Sequence, residues 1–294
     1  MAMQRFLACT AMALSLFAMT VSPTAGADTI DVQPVGSAAI PEGPAPAWII
    51  ADMDTGQILA GRNEDAHSAP ASTIKTLLAQ VVLDEVPLDS TIVATEADTA
   101  VECNCAGVVP GQTYTARQLL DGLLLVSGND AANTLARMLG GTDAAVMKMN
   151  SKAALLGAHG TNAGSPSGID GPGISMWSSP RDLAVIFRSA MSYPVFAQIT
   201  AQPTAMFPTK TGDRVLVNQD EMLHRYPGML GGKTGFTDLA RKTFVGAAAR
   251  DGRRLVIAMM YGLVKEGGPT YWDQAATLLD WGFAQDRSAS VGSL

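Results

Sequence analysis

Three regimes of hydrophobic patterning divide the chain. Residues 6–21, FLACTAMALSLFAMTV, form a nearly uninterrupted apolar run that follows Arg5 and precedes the small-residue end Ala25-Gly26-Ala27. The pattern predicts a secretory signal over residues 1–27, because the run is shorter than the ~20 apolar residues of a bilayer span. Residues 28–46, DTIDVQPVGSAAIPEGPAP, carry four prolines and predict an extended spacer. From residue 47 the pattern becomes that of a folded domain.

That domain opens with AWIIADMDTGQILAG, a β-hairpin with Asp54-Thr55-Gly56 as its turn. Helical spacing then takes over: a helix from Ser72 to Leu83, followed by TARQLLDGLLLVS, DAANTLARMLG and AAVMKMNSKAALLGA. SPRDLAVIFRSAM predicts another helix, with Ser179 as N-cap and Pro180 at the first helical position. From about residue 231 the period shortens to that of strands in GGKTGFT, KTFVGAAAR and RRLVIAMMYGL, the last two joined by an Asp251-Gly252 turn. TYWDQAATLLDWGF closes the domain as an apolar helix, and residues 284–294 read as a loose tail. Strands at both ends with helices between them predict an α+β fold over residues 47–283. Its antiparallel sheet is assembled from N- and C-terminal strands and flanked by helices, some forming a helical subdomain.

Charge and cysteines narrow the function. A net charge of −7 argues against nucleic acid or an anionic membrane surface as partner. Cys103 and Cys105 sit in ECNCAG, where export permits a disulfide but the one-residue loop constrains it, so pairing stays open. Two cysteines at this spacing offer too few ligands for a metal.

The candidate chemistry starts at Ser72 and Lys75, which helical spacing sets on one face. A serine hydroxyl becomes a nucleophile only when a base removes its proton, and a buried lysine can be that base if its pKa falls from ~10.4 toward neutrality. His67, His159 and His224 lie in no triad context, and no GxSxG turn is present. Alone, SxxK is a weak signal. Ser127 and Asn129 stand where one predicted helix ends and another begins; they could relay a proton and grip a substrate backbone, or, with Asp130, cap the second helix. Lys233, Thr234 and Gly235 lie on a predicted strand, where a lysine and a hydroxyl can bind a carboxylate and a glycine lets a substrate backbone approach. A second KTG begins at Lys210, but Asp213 and Arg214 follow it, so Lys210 is expected on an exposed turn.

In this order, SxxK, SGN and KTG resemble the motifs of penicillin-binding proteins and serine β-lactamases. PASTIK, LLLVSGNDAANTLA, MNSKAALLG, SPRDLA, RYPGMLGGKTGFTD and DGRRLV are closer still to the serine-type D-alanyl-D-alanine carboxypeptidases. The resemblance implies the penicillin-binding protein fold and a catalytic set of Ser72 as nucleophile, Lys75 as general base and Ser127 as proton relay. Asn129, Lys233, Thr234, Gly235, Phe236 and Thr237 would bind substrate, with the amides of Ser72 and Phe236 as oxyanion hole. It implies peptidoglycan stem peptides ending in D-Ala-D-Ala as substrate and β-lactams as covalent inhibitors, with no cofactor or metal. The signal pattern predicts export to the periplasm, the cell-wall space or the medium, with membrane association as the alternative if the signal stays uncut, and nothing in the sequence requires more than a monomer. Endopeptidase or transpeptidase activity of the same site is the alternative. A class A β-lactamase fits less well, since no glutamate lies between Glu102 and Glu221 and Asp170 would have to replace one. A wall-binding protein with a degenerate site is disfavoured by the intact motifs. Two departures from the family are Arg241 after Ala240, where glycine is common, and Ser165 and Ser167 in GSPSGIDGPG, where asparagine and histidine are common.

Overall fold

The computed structural model describes residues 31–263 and 266–294. The expected signal, residues 1–27, lies outside the described residues, as do the first three residues of the expected spacer. In chain order, β1 (Asp31–Val32) precedes the hairpin of β2 (Ala47–Asp52) and β3 (Gln57–Arg62). A 3-10 turn (Ala71–Ile74) leads into α1 (Lys75–Glu85), and β4 (Thr91–Val93), α2 (Glu96–Thr99) and β5 (Thr113–Thr115) follow. The helical part continues with α3 (Ala116–Leu125), α4 (Asn129–Met138), α5 (Thr142–Leu155), α6 (Pro180–Ala190) and α7 (Pro194–Ala201). The hairpin of β6 (Thr204–Thr209) and β7 (Gly212–Val217) and the short α8 (Met222–Arg225) return the chain to β8 (Met229–Thr237), β9 (Arg241–Arg250) and β10 (Arg253–Gly262). Helix α9 (Tyr271–Ala284) and β11 (Gly292–Ser293) end the described chain.

Among the described residues, seven strands make one antiparallel sheet in the order β1-β3-β2-β10-β9-β8, with β11 also on β3. Alternation along β2 shows why it is central: Trp48 and Ile50 pack with Leu255, Ile257, Leu278 and Leu279 against α9, while Ile49 and Ala51 face Val256, Leu183 and Phe187 on the side of α6. Each such fully buried side chain contributes about 1.5–3 kcal/mol, so a strand sandwiched between two helical layers is a stable spine for a site at its edge.

Local chemistry sets the elements as the sequence predicts at several points. Ser179 Oγ accepts the Asp182 amide at 3.2 Å with Pro180 at the first position of α6. Asp52 Oδ1 accepts the amides of Asp54 and Thr55, each at 3.0 Å, to close the β2–β3 turn. Asp251 and Gly252 both take positive φ, as a two-residue hairpin requires.

Three expectations need correction. The helix expected from Ser72 begins as an α-helix only at Lys75, because Ala71 takes a φ of +48° behind Pro70 and the chain enters through the tighter 3-10 turn. The spacer is not a free tether over residues 31–46. Asp31 and Val32 pair with Arg62 and Gly61, the Arg62 guanidinium fork holds both Asp31 (2.6 and 2.9 Å) and Glu42 (2.7 and 2.9 Å), and Trp281 Nε1 donates to the Ala38 carbonyl at 2.9 Å. Nor is the tail loose. The Val291 amide donates to the Ile58 carbonyl at 2.8 Å and the Leu294 amide to the Gly56 carbonyl at 2.9 Å, because β1 covers only one end of β3 and leaves the other end's carbonyls open. The β6–β7 hairpin, by contrast, has no counterpart in the predicted elements; Lys210 sits exposed at its turn, as expected.

Candidate active site

The turn that carries Ser72 is wedged between the 165–173 loop and the strands β8 and β9. Thr243 Oγ1 on β9 donates to the Pro70 carbonyl at 2.9 Å, and Thr73 Oγ1 donates to the same carbonyl at 2.6 Å. Gly235 lets β8 lie against this turn: a Cβ there would fall 2.8 Å from the Ser72 nitrogen and 2.3 Å from Thr243 Oγ1. On the other side Gly168, at φ +81°, could not carry a Cβ without meeting the Ala71 carbonyl oxygen at 2.1 Å. Ser72 is thus fixed by its neighbours' lack of side chains.

Lys75, one turn on, is fully buried. Its Nζ lies 2.7 Å from Ser72 Oγ, 2.8 Å from Asn129 Oδ1 and 2.5 Å from the Ser167 carbonyl oxygen. Asn129 Nδ2 donates to the Glu102 carbonyl at 2.8 Å, which fixes the amide so that Oδ1 faces the lysine. Carbonyl and amide oxygens only accept, so two of the three substituent directions of Nζ are N–H bonds. The remaining direction points at Ser72 Oγ. Burial pushes the Lys75 pKa well below its ordinary value, the Lys233 ammonium pushes the same way, and Asp130 opposes them. The depressed pKa brings the neutral amine, with a lone pair free to take the serine proton, within easier reach than for an exposed lysine.

Asn129 is the first residue of α4, and the capping alternative does not hold: Gly128 occupies the cap position without a side-chain cap bond. The Asn129 amide instead donates to the Asn104 carbonyl at 2.7 Å. Asp130 accepts the amides of Ala106, Gly107 and Val108, each at 2.8 Å, and so binds the loop of Cys103 and Cys105 to the helix start. The two cysteines form a disulfide, which resolves the pairing left open by the sequence. Ser127, only 3% exposed, sits at φ +59°, a left-handed conformation costing about 1 kcal/mol or more in a non-glycine residue and concentrated at functional sites. It lines the same cleft as Ser72 and Asn129 but makes no hydrogen bond to Ser72 or Lys75.

Edge strand β8 supplies the other wall. Lys233 is buried, its Nζ donates to the Thr234 carbonyl at 2.7 Å, and burial pushes its pKa down to about 7 against the opposing charge of Asp220. Thr234, Gly235, Phe236 and Thr237 all line the cleft, a cavity of 510 Å³ open to solvent. Phe236 is 53% exposed, with Lys242 Nζ 4.7 Å from its ring centre. Thr237 Oγ1 donates to Asp170 Oδ2 at 2.5 Å and accepts the Ala240 amide at 3.0 Å, tying the 165–173 loop to the strand end.

All nine residues singled out from the sequence converge on this region, and several partners carry no sequence signal. The Ser167, Glu102 and Asn104 contributions are backbone carbonyls, invisible in a side-chain alphabet. Ser165 and Ser167, noted as departures, brace their own loop: Ser165 Oγ donates to the Ile169 carbonyl at 2.9 Å and Ser167 Oγ accepts the Ile169 amide at 3.3 Å. Arg241 holds φ +57°, the conformation for which glycine is the usual choice. Asp220, Tyr271 and Trp272 were not singled out at all.

A hydroxyl 2.7 Å from a buried amine of depressed pKa, at the floor of a cleft walled by an exposed strand edge, can carry out acyl transfer. Comparisons with known proteins identify the family. The profile of the D-alanyl-D-alanine carboxypeptidases, peptidase family S11, matches residues 35–262. The D-alanyl-D-alanine carboxypeptidase DacB2 of Mycobacterium tuberculosis is 71% identical over 264 residues, spanning 90% of this chain and 91% of that protein. A crystal structure of a D-alanyl-D-alanine carboxypeptidase from M. tuberculosis superposes with a TM-score of 0.88 at 71% identity, covering 90% of this chain and 100% of that one. A Streptomyces DD-transpeptidase superposes with a TM-score of 0.77 at 29% identity, covering 84% and 100%. The α+β architecture is the fold shared by these penicillin-binding-protein relatives. With its serine, its lysine and its sheet edge in this order, the chain belongs to the D-alanyl-D-alanine carboxypeptidase family of serine peptidases.

Proposed function

We propose that the protein removes the terminal D-alanine from peptidoglycan stem peptides through a covalent Ser72 intermediate. Lys75 takes the Ser72 proton as Oγ adds to the carbonyl carbon of the penultimate D-alanine. The amides of Ser72 and Phe236 receive the developing oxyanion, and Lys233 with Thr234 holds the terminal carboxylate. Asn129, Gly235 and Thr237 align the peptide backbone. When the carbon–nitrogen bond breaks, Ser127 passes a proton from Lys75 to the departing amine, and free D-alanine leaves. Water then adds to the ester with its proton going to Lys75, the bond to Ser72 Oγ breaks, Lys75 returns the proton to Oγ, and the shortened peptide is released. A β-lactam acylates the same oxygen by opening its strained amide.

The observation that carries this reading is the 2.7 Å approach of the buried Lys75 Nζ to Ser72 Oγ with its other two directions occupied by acceptors. Export to the cell-wall space, where such peptides are found, is supported by the signal pattern of residues 1–27 and by the Cys103–Cys105 disulfide, a bond of oxidising compartments. The likeness to a DD-transpeptidase supports a second reading in which an amine, rather than water, accepts the acyl group. A β-lactamase is less well supported: Asp170, which would have to replace the missing glutamate, is engaged by Thr237.

Intact-mass spectrometry after adding benzylpenicillin tests the mechanism. The expected result is a lasting one-to-one adduct that Ser72→Ala abolishes, together with D-alanine release from a D-Ala-D-Ala peptide by the wild type alone. An adduct that survives Ser72→Ala would sink the assignment. Rapid drug turnover would move the reading to a β-lactamase.

A further inference from the structure

Between α2 and β5 the chain passes along the wall of the cleft, which Glu102, Cys103 and Asn104 help to line. All three are exposed, and the stretch 102–105 belongs to no helix or strand. Yet two of its carbonyls anchor Asn129: Glu102 accepts the side-chain Nδ2 at 2.8 Å, and Asn104 accepts the backbone amide at 2.7 Å. Asn129 Oδ1 in turn accepts from Lys75 Nζ at 2.8 Å. An exposed strip of irregular backbone thus orients a group that meets the candidate base.

Exposed carbonyls have water as a ready alternative partner, and ordering each irregular residue costs backbone entropy. Something must therefore hold Glu102 and Asn104 in register with Asn129. Asp130 clamps the amides of Ala106, Gly107 and Val108, but none of these belongs to residues 102–105. Among the described residues, one further hydrogen bond reaches the stretch, from Gln219 Nε2 to Asn104 Oδ1 at 3.5 Å. The remaining tether is the bond between Cys103 and Cys105, whose Cα atoms lie 5.0 Å apart. Two extended residues span roughly 7 Å, so the bond keeps the chain bent at Asn104, with the carbonyls of 102 and 104 converging on one asparagine.

We propose that the Cys103–Cys105 disulfide is a positioning element for Asn129. It takes no part in the bond changes at Ser72: it fixes the Glu102 and Asn104 carbonyls, they fix Asn129, and Asn129 keeps its oxygen on Lys75. The inference rests on the roles proposed for Asn129 and Lys75. A ring closed over so few residues constrains the unfolded chain little, and Asp130 holds the flank of the loop without it. The worth of the bond therefore lies in the site rather than in global stability.

The test compares wild type, Cys103→Ser/Cys105→Ser, and wild type reduced with tris(carboxyethyl)phosphine, each with and without Asn129→Ala. Acylation by a fluorescent penicillin, D-alanine release from a D-Ala-D-Ala peptide and melting temperature are measured, and iodoacetamide labelling checks the reduction. Removing the bond by either route should slow acylation about 10–10²-fold, the scale of a small misplacement near the reacting atoms. It should lower kcat for D-alanine release more than it raises KM, and leave the melting temperature nearly unchanged. In the Asn129→Ala background it should slow acylation no further, because the bond acts through that residue. A direct contact with substrate, or a general stiffening of the loop, would give the same factor with and without Asn129. That result overturns the proposal. If Asn129→Ala slows acylation while removal of the bond does not, the role of the disulfide fails alone. If Asn129→Ala leaves acylation unchanged, the reading of Asn129 fails and takes this one with it. Should the serine variant not fold, the reduced wild type is read the same way; if both lose their melting transition, the bond holds the fold rather than the site and the proposal falls.

Discussion

At the scale of single residues, Lys75 is unusual in what surrounds it: two oxygens that can only accept and one hydroxyl. Burial lowers its pKa well below the ordinary value, which makes the neutral amine accessible beside Ser72, and pH should expose it. Protonation of Lys75 removes the lone pair, so acylation by a fluorescent penicillin should slow as pH falls through the lysine's depressed pKa. Lys75→Ala should lower the acylation rate by about 10²–10⁴-fold, the usual worth of a positioned base. The buried lysines also couple folding to pH. A lysine whose folded pKa lies below its unfolded value binds fewer protons when folded, so stability rises with pH between the two. For Lys233 that window runs from about 7 to ~10.4. Relative to Lys233→Met, wild type should gain urea resistance across it, and a constant difference would refute the assignment.

At the scale of elements, small residues decide how the Ser72 turn and the edge strand meet. Gly235→Ala would set a Cβ 2.3 Å from Thr243 Oγ1 and 2.8 Å from the Ser72 nitrogen. Strand and turn would have to part by roughly the overlap, and a misplacement of about 1 Å costs on the order of 10²-fold in rate. Stopped-flow acylation by penicillin should show that loss with little change in melting temperature. The Asp130 carboxylate has the opposite character, since it serves as the common acceptor for the amides of the disulfide loop. Asp130→Ala leaves those amides unpaired and should cost about 3 kcal/mol or more of stability, read from denaturant unfolding.

Elements were legible wherever side chains announce them. Ser179-Pro180 marked a helix start, Asp251-Gly252 a hairpin turn, and the lysines at 75 and 233 declared themselves by spacing within motifs. What stayed hidden depends on backbone. The Ser167 carbonyl meets Lys75 whatever the side chain at 167, and the positive φ of Ala71 comes from the wedge of loops around it. The β6–β7 hairpin escaped because its exposed Met206, Val215 and Val217 blur the alternation that marks a strand. Asp220 looks like any loop aspartate until the fold buries it.

At the scale of the whole molecule, the sheet has two unlike edges. The outer edge of β3 is covered by β1 at one end and β11 at the other, whereas β8 presents its edge to the cleft. Covering an edge blocks unwanted strand pairing. Deleting residues 290–294 removes the Val291 and Leu294 backbone bonds and the Arg181 contact to the Ser293 carbonyl. It should cost about 2 kcal/mol and leave penicillin acylation unchanged, because the loss lies at the far edge from Ser72.

The prop behind the Ser72 turn has a consequence in time. Thr243, which holds the Pro70 carbonyl, follows it by 173 positions, and Arg253 reaches Asp52 across 201. Contacts so distant in sequence close late, after the intervening chain has been synthesised. A growing chain that stops short of β9 therefore carries Ser72 and Lys75 without the Thr243 prop behind their turn. Reactivity should switch on as a step with chain length: stalled chains ending before residue 243 stay blind to a labelled penicillin, and those that include β9 and β10 acquire it.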